Sequence, residues 1–209
     1  MTGAGRTRRA VTLALDWDGT VTERDTLHMV IEAFGDLDVF EAMEHEVGRR
    51  LTLHEVIARE LATITASLDT VVDWLLEHVR VRPGLAELVR RHDPLVVSAG
   101  FHELIGPVLA REGVRARVAA NRLAPGPGPW RAVFRDDEPC SVCGEPCKRR
   151  ALADERRFAY VGDGVSDRCV ALAAERVFAR DGLARWLDLE GVAYEPFETL
   201  DDVARALSA

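Results

Sequence analysis

The sequence feature that most constrains the fold is a short apolar segment, residues 11–15, that ends at two carboxylates one residue apart. Val11 to Leu15 is short, apolar and partly β-branched, and a Gly-Thr turn follows it, which predicts a buried strand. Asp16 and Asp18 then lie at its carboxyl end, the edge at which open α/β sheets bind ligands. Both carboxylates can face one pocket, where a divalent cation would offset their repulsion. The alternative is an Asp-Gly turn with both acids in solvent.

Charge and composition restrict the classes of function. The chain has 209 residues and a net charge of −8, which disfavours a general nucleic-acid binder. No apolar run approaches the roughly 18 residues of a membrane span, and residues 11–15 are too short for the core of a signal peptide. We therefore expect a cytoplasmic protein with no membrane partner and mostly reduced cysteines. Lys148 is the only lysine among 27 basic residues, which indicates a position that needs a compact ammonium group.

Helical and strand patterns divide the chain into two predicted parts. Residues 22–82 show helical spacing of apolar side chains, and Thr52 and Glu55 have the spacing of a capping box. From residue 83 onward strands, turns and helices alternate, which predicts an α/β fold with a doubly wound parallel sheet covered on both faces. A Pro/Gly-rich stretch, residues 125–129, predicts a hairpin that returns at Trp130. The predicted domains are a core, residues 1–21 and 83–209, and an inserted α-helical cap, residues 22–82.

Polar side chains recur at the ends of the predicted strands and at a helix start. They are Asp16 with Asp18, Ser98 with Gly100, Lys148, and Asp163 with Asp167. Because a doubly wound sheet brings its strand ends to one edge, these side chains can line a single crevice. Each type has a role in phosphoryl transfer: a carboxylate attacks phosphorus, a second acid moves protons, hydroxyl and ammonium groups hold phosphoryl oxygens, and further carboxylates bind magnesium. Taken singly, Ser98 also fits a helix cap, and Asp167 an acid at a helix N-terminus.

In this order the segments resemble the four motifs of the haloacid dehalogenase (HAD) superfamily of phosphatases. The matching segments are Asp16-Trp17-Asp18-Gly19-Thr20, Ser98, Lys148 and Gly162-Asp163-Gly164-Val165-Ser166-Asp167. The resemblance implies a Rossmann-like core, with Asp16 as the nucleophile and Asp18 as the general acid and base. It implies Mg²⁺ bound by Asp16, the Asp18 backbone carbonyl and Asp163, with Asp167 supporting the metal or Lys148. The expected phosphate-binding residues are Ser98, Ala99, Gly100 and Lys148.

The helical insert resembles the small cap of the phosphoserine-phosphatase-like branch of that superfamily. Within this branch the closer likeness is to methionine-salvage phosphatases, because a cysteine-rich segment, residues 140–147, precedes Lys148. The implied partner is a small phosphorylated metabolite. Phosphoserine is the alternative substrate: Asp25 stands where phosphoserine phosphatases usually carry a glutamate, and Arg49, Arg50 and Arg59 are candidates to bind a substrate carboxylate. We expect substrate selection from the cap residues Asp25, Arg49 and Arg50.

The four cysteines are the remaining cluster of chemical interest. Cys140, Cys143 and Cys147, with Cys169 nearby if Lys148 and Asp167 share a site, can supply four thiolates to a structural Zn²⁺. Reduced loop thiols or a disulfide are the alternatives. Two further functions stay open, a phosphotransferase or mutase on the same core, and a non-catalytic zinc-bound interaction module. The sequence does not set the oligomeric state.

Overall fold

The computed structural model describes residues 11–47, 49–124, 126 and 128–208. Residues 1–10 of the predicted core, and Pro125 and Pro127 of the predicted hairpin turn, lie outside the described residues. The strands are β1 (Thr12–Leu15), β2 (Leu95–Phe101), β3 (Arg117–Leu123), β4 (Ala132–Val133), β5 (Phe158–Gly162), β6 (Arg176–Ala179) and β7 (Glu195–Pro196). They form one sheet of order β4-β3-β2-β1-β5-β6-β7, parallel except for the β3–β4 hairpin. The predicted doubly wound α/β sheet is confirmed.

Helices connect the strands and cover both faces of the sheet. They are α1 (Thr26–Phe34), α2 (Leu37–Glu44), α3 (Leu53–Leu61), α4 (Leu68–His78), α5 (Leu85–His92), α6 (His102–Arg111), α7 (Arg168–Ala171), α8 (Asp181–Glu190) and α9 (Leu200–Ser208), with short 3-10 helices at Lys148–Leu152 and Val165–Asp167. The predicted capping box begins α3, since the Thr52 N–H donates to Glu55 Oε2 at 2.8 Å and the Glu55 N–H donates to Thr52 Oγ1 at 3.2 Å. No helix among the described residues has both the length and the apolar character needed to cross a membrane.

β1 lies in the middle of the sheet, between β2 and β5. Its last residue, Leu15, pairs with Val96 of β2 and Val161 of β5. The Asp16 N–H continues this ladder and donates to Val161 O at 2.9 Å. Because the three strands run in the same direction, the segments that follow them meet at one edge of the sheet. Three of the four predicted motifs, those of Asp16, Ser98 and Asp163, lie at this edge.

Apolar side chains on alternate positions of β1 enter two separate clusters. Leu13 and Leu15 belong to the larger cluster, to which α1, α4 and α6 also contribute. Ala14, between them, belongs to a smaller cluster with Leu183 and Leu187 of α8. Burial on both faces explains why the strand is a continuous apolar run rather than an alternating one.

Helices α1–α4 form the helical insert (residues 22–82), and the insert packs directly on the core. Ile31 of α1 belongs to the same apolar cluster as Leu104 of α6. Trp130 joins the insert to the edge of the sheet, since its backbone N–H donates to Ile64 O and its indole Nε1 donates to Ala66 O, each at 2.9 Å. The division between cap and core at residues 22 and 82 stays a prediction.

Candidate active site at the carboxyl ends of β1, β2 and β5

Asp16 and Lys148 form a buried ion pair at the end of β1. Their side chains are 5% and 6% exposed, and Lys148 Nζ lies 2.5 Å from Asp16 Oδ1 and 2.7 Å from Asp167 Oδ1. The Trp17 N–H also donates to Asp16 Oδ1, at 2.6 Å. Asp16 Oδ2 has no hydrogen bond to a described residue. One ammonium group therefore serves two carboxylates, and one oxygen of Asp16 is available for chemistry.

Asp167 is fully buried, and hydrogen bonds engage both of its carboxylate oxygens. Oδ1 accepts from Lys148 Nζ at 2.7 Å and from Tyr160 OH at 2.6 Å. Oδ2 accepts from the backbone N–H groups of Asp163 and Gly164, both at 2.9 Å. A carboxylate offers about four acceptor positions, so these contacts use them all. This arrangement fits a role in holding Lys148 and the 162–167 loop better than a role as a direct metal ligand.

Asp163 faces the segment that follows β1. Its Oδ1 accepts from Thr20 Oγ1 at 2.7 Å. Gly19 has a φ of +74°, and a Cβ built there would lie 2.3 Å from Asp163 Oδ2. Only glycine allows both this backbone conformation and the close approach of the carboxylate. The Gly19-Thr20 turn thus brings Asp163 next to the end of β1.

Asp18 and Ser98 lie together across β1 and β2. The backbone N–H of Thr26 donates to Asp18 Oδ1 at 2.9 Å, and the Thr26 hydroxyl donates to the same oxygen. Ser98 Oγ donates to Asp18 Oδ2 at 3.3 Å, and the Gly100 N–H donates to Ser98 Oγ at 2.8 Å. The Ala99 carbonyl accepts from Asn121 Nδ2 at 2.7 Å, which ties this part of β2 to β3. The predicted serine motif therefore contacts the second acid of the first motif.

Crowded carboxylates determine the electrostatics of the site. Burial and the charge of Asp167 raise the pKa of Asp16 well above its usual range, against the opposing charge of Lys148. Burial and the charge of Asp167 also raise the pKa of Asp163 to about 6. Burial alone would lower the pKa of Lys148, but the charges of Asp16 and Asp167 outweigh it and raise that pKa. Lys148 therefore stays protonated, and the crowding of Asp16, Asp163 and Asp167 disfavours ionisation of all three carboxyl groups at once.

Three acids cluster at this edge, and two of them, Asp16 and Asp163, have an oxygen that could hold a metal ion. One carboxylate oxygen each of Asp16, Asp163 and Asp167 lies within 4.8 Å of the others. Within the described residues neither Asp16 Oδ2 nor Asp163 Oδ2 accepts a hydrogen bond. Hard oxygen donors in excess of the available positive charge fit Mg²⁺. The Asp18 carboxylate turns instead to Ser98 and Thr26, and a role for the Asp18 backbone carbonyl stays a prediction.

The predicted cap selectors lie in two places. Asp25 caps α1, where its Oδ1 accepts from the His28 N–H at 2.9 Å. Shielding of the carboxyl group from water by surrounding protein, together with the charge of Asp18, raises the pKa of Asp25 to about 7. Because Asp25 is exposed to solvent, this shielding is limited. Arg49 and Arg50 lie exposed in the turn after α2, and Arg50 Nε lies 3.8 Å from Glu46 Oε2. Their role in substrate selection stays a prediction.

The cysteines come together next to the lysine. The sulfur atoms of Cys140, Cys143, Cys147 and Cys169 all lie within 4.8 Å of one another. All four are free thiols, with Cys143 exposed and the others partly buried. Cys169 thus reaches the 140–147 segment, as expected if Lys148 and Asp167 share a site.

Sequence reasoning missed the side chains that hold the acids in place. Tyr160 supports Asp167, Thr20 supports Asp163, and Thr26 supports Asp18. Tyr160 was indistinguishable from a core residue of the buried β5. Of the three, only Thr20 could have been identified from the sequence as a site residue, since it belongs to the Asp-Gly-Thr turn.

Comparison with known proteins gives the class to which this fold and site belong. Residues 13–172 match the model of the haloacid dehalogenase-like hydrolase family. This match spans most of the chain and includes every motif residue named above, from Asp16 to Asp167. The chain belongs to the haloacid dehalogenase-like hydrolase family.

Two individual proteins from Bacillus are similar to this chain over most of its length. A 2-hydroxy-3-keto-5-methylthiopentenyl-1-phosphate phosphatase of Bacillus cereus is 27% identical over 209 aligned residues, covering 92% of this chain and 93% of that protein. A protein of the same name from Bacillus thuringiensis is 26% identical over 207 aligned residues, with the same coverage.

Solved structures share the fold at lower identity. The phosphoserine phosphatase from T. onnurineus has a TM-score of 0.69 and 18% identity, covering 96% of each chain. A substrate-bound phosphoserine phosphatase complex has a TM-score of 0.71 and 14% identity, covering 95% of this chain and 99% of that one. The predicted Rossmann-like core of this superfamily is therefore confirmed.

Proposed function

We propose that this protein is a Mg²⁺-dependent phosphatase that hydrolyses a small phosphomonoester through an aspartyl-phosphate intermediate. The observation that carries the proposal is the buried Asp16–Lys148 pair at the end of β1, with Asp18, two residues further on, in contact with Ser98. A nucleophile, a proton donor and two phosphate-binding groups are thereby within reach of one phosphoryl group. Family membership and the names of the Bacillus relatives support the same activity.

In the proposed reaction Asp16 is the nucleophile. As its carboxylate oxygen forms a bond to phosphorus, the bond from phosphorus to the substrate oxygen breaks, and protonated Asp18 gives its proton to that departing oxygen. Asp18 then takes a proton from water, whose oxygen attacks phosphorus and releases Asp16 and inorganic phosphate. The two hydrogen bonds from Thr26 hold Asp18 beside Ser98 for both proton transfers.

Ser98, Ala99 and Lys148 hold the phosphoryl oxygens in this proposal. The Ser98 hydroxyl and the Lys148 ammonium are donors already in place, and both side chains are buried. Fixed donors in a site shielded from water stabilise developing negative charge better than mobile water does. The Gly100 N–H orients the Ser98 hydroxyl, and the lack of a side chain at Gly100 leaves room beside Asp18.

The proposed cofactor is Mg²⁺, held by Asp16, Asp163 and the Asp18 backbone carbonyl, with Asp167 in support. When bound, it supplies positive charge that offsets both the crowded carboxylates and the anionic substrate. The fit rests on the donor set, since the free Oδ2 atoms of Asp16 and Asp163 are hard ligands. A structural Zn²⁺ at the four cysteines is a separate proposal, because magnesium does not favour thiolates.

The proposed substrate is a small phosphorylated metabolite, with the ester named for the Bacillus relatives as the first candidate and phosphoserine as the second. Both candidates have an organic group beyond the phosphate, for which the helical insert is the adjacent surface. Asp25 is the proposed contact for such a group, a proposal supported by its exposure and by its interaction with Asp18. Arg49 and Arg50 are the proposed partners for a substrate carboxylate.

The test is phosphate release from a panel of phosphomonoesters that includes both candidates, with Mg²⁺ or with EDTA. Wild type and Asp154→Asn, a control at an exposed acid, should release phosphate only with Mg²⁺. Asp16→Asn should lose about 10³-fold or more while keeping the wild-type circular dichroism spectrum. Rapid acid quenching with labelled ester should trap phosphate on wild-type protein but not on Asp16→Asn.

Unchanged phosphate release by Asp16→Asn would refute the nucleophile. Transfer of the phosphoryl group to an added alcohol in preference to water would favour the phosphotransferase. A folded wild type that releases no phosphate from any ester would favour the non-catalytic module.

A further inference from the structure

We propose that the four cysteines bind one Zn²⁺ and that this ion fixes Lys148 and Asp167 relative to each other. The chain has four cysteines in all, and their four sulfur atoms lie within 4.8 Å of one another. Three come from residues 140–147, whereas Cys169 comes from α7, on the far side of β5 in sequence. Chance alone does not bring every cysteine of a chain into one cluster of four sulfurs.

The sulfur spacing fits a metal ion better than a disulfide. A Zn–S bond of about 2.3 Å in a tetrahedron places neighbouring sulfurs about 3.8 Å apart. The sulfur atoms of Cys140 and Cys169 are 3.9 Å apart. A disulfide requires an S–S distance of about 2.05 Å, and a single disulfide would leave two thiols beside it. Four thiolates in a tetrahedron are a ligand set typical of structural zinc.

The backbone between Cys140 and Cys143 is folded to present both sulfurs. The Gly144 N–H donates to Cys140 O at 2.8 Å, and Gly144 has a φ of +78°, which favours glycine. The Val142 N–H donates to Cys140 Sγ at 3.5 Å. An N–H group aimed at sulfur stabilises the thiolate form that binds metal. The turn therefore provides a ready half of the site, and Cys147 and Cys169 complete it.

The position of the cluster in the chain gives the proposed ion its role. Cys147 directly precedes Lys148, and Cys169 lies two residues after Asp167. Among the described residues, the segment between β4 and Lys148 contains no strand or helix, so its own backbone pairing does little to fix Lys148. One ion bound by Cys147 and Cys169 would tie the two segments together beside the 2.7 Å Lys148–Asp167 pair. The effect on catalysis rests on the proposed phosphatase function, whereas zinc binding itself does not.

The experiment measures zinc directly in the full chain, purified under reducing conditions. Elemental analysis should give about one zinc per chain for wild type and for Ser141→Ala, a control in the same turn. Cys143→Ser and Cys169→Ser should each lose most of the zinc. Replacement of zinc by Co²⁺ in wild type should give the absorption bands of tetrahedral thiolate coordination. A zinc-selective chelator should lower the thermal midpoint of wild type by roughly 5 °C or more, and should leave the Cys169→Ser midpoint unchanged.

Phosphate release with Mg²⁺ present tests the role of the ion. If Zn²⁺ positions Lys148, removal of zinc should lower kcat about tenfold or more, and added Zn²⁺ should restore it in wild type but not in Cys169→Ser. The proposal would be overturned if reduced wild type contained no zinc and took up none. It would also be overturned if the mass of the purified wild type were two hydrogens lower, which shows a disulfide, or if the protein contained iron in place of zinc. If the variants fail to fold, the zinc content and cobalt spectrum of wild type decide. If zinc is bound at full occupancy but no phosphatase activity is found, the proposed function is overturned and the zinc site is not.

Discussion

The replacement Tyr160→Phe tests whether the buried network around Asp167 stabilises the protein. Tyr160 is fully buried, and its hydroxyl donates to Asp167 Oδ1 at 2.6 Å. Removing the hydroxyl leaves a buried, charged carboxylate one hydrogen bond short, and a bond to a charged group contributes about 1.5–3 kcal/mol. A protein of this size loses about 2–4 °C in melting temperature per kcal/mol, so we expect a decrease of about 3–12 °C. The measurement is thermal unfolding in EDTA, which excludes any contribution from bound metal.

The chain contains a matched control for this experiment. Tyr194, the only other tyrosine, also donates its hydroxyl to an aspartate, Asp188, but at 3.3 Å and at the surface. Because water can replace this bond, Tyr194→Phe should change the free energy of unfolding by less than about 0.5 kcal/mol. Equal shifts in the two variants would refute the reasoning, since the buried hydroxyl would then contribute no more than an exposed one.

Three further substitutions test the placement of the other site residues. Gly19→Ala would put a Cβ 2.3 Å from Asp163 Oδ2, so it should abolish Mg²⁺-dependent phosphate release. The control is Gly113→Ala, at a glycine with a φ of +67° and open space around it. This control should lower the free energy of unfolding by only about 1–2 kcal/mol and keep activity. Ser98→Ala removes a proposed phosphoryl donor and should lower kcat/KM for ester hydrolysis about 10²-fold. It should also lower the melting temperature, because the buried Gly100 N–H loses its acceptor. Lys148→Arg keeps the charge but replaces a side chain that is only 6% exposed with a larger, planar one. Phosphate release should therefore fall about 10²-fold or more. Wild-type activity in this variant would contradict the need for a compact ammonium group.

Much of the fold could be predicted because apolar spacing and strand-end glycines mark most elements. The α/β class, the parallel sheet and the Thr52 capping box all follow from local patterns. The helix α8 does not, because it begins at Asp181 with a φ of +45° and without a side-chain cap, so it lacks the usual start signals. The start of β3 at Arg117 does not follow from local patterns either, since it depends on pairing with β2.

The candidate site was predictable to the extent that its residues carry charge at strand ends. Asp16 and Asp163 stand out in sequence because a carboxylate at the end of a buried strand is costly unless it is paired, and Lys148 stands out as the only lysine. Tyr160 and Thr26 do not stand out, because a tyrosine in a strand and a threonine at a helix start are ordinary. Their roles arise only when β5 lies beside β1 and α1 begins next to Asp18.

The hydrogen bonds of Thr26 link the proposed chemistry to the proposed substrate selection. Thr26 is the first residue of α1, and both of its donors hold Asp18, the proposed acid and base. Asp25, the predicted selector, precedes it and caps the same helix. The helix that carries the proposed selector therefore also orients the proposed acid and base. A substrate that displaces the start of α1 would misalign Asp18, so a wrong ester is penalised in kcat as well as in binding.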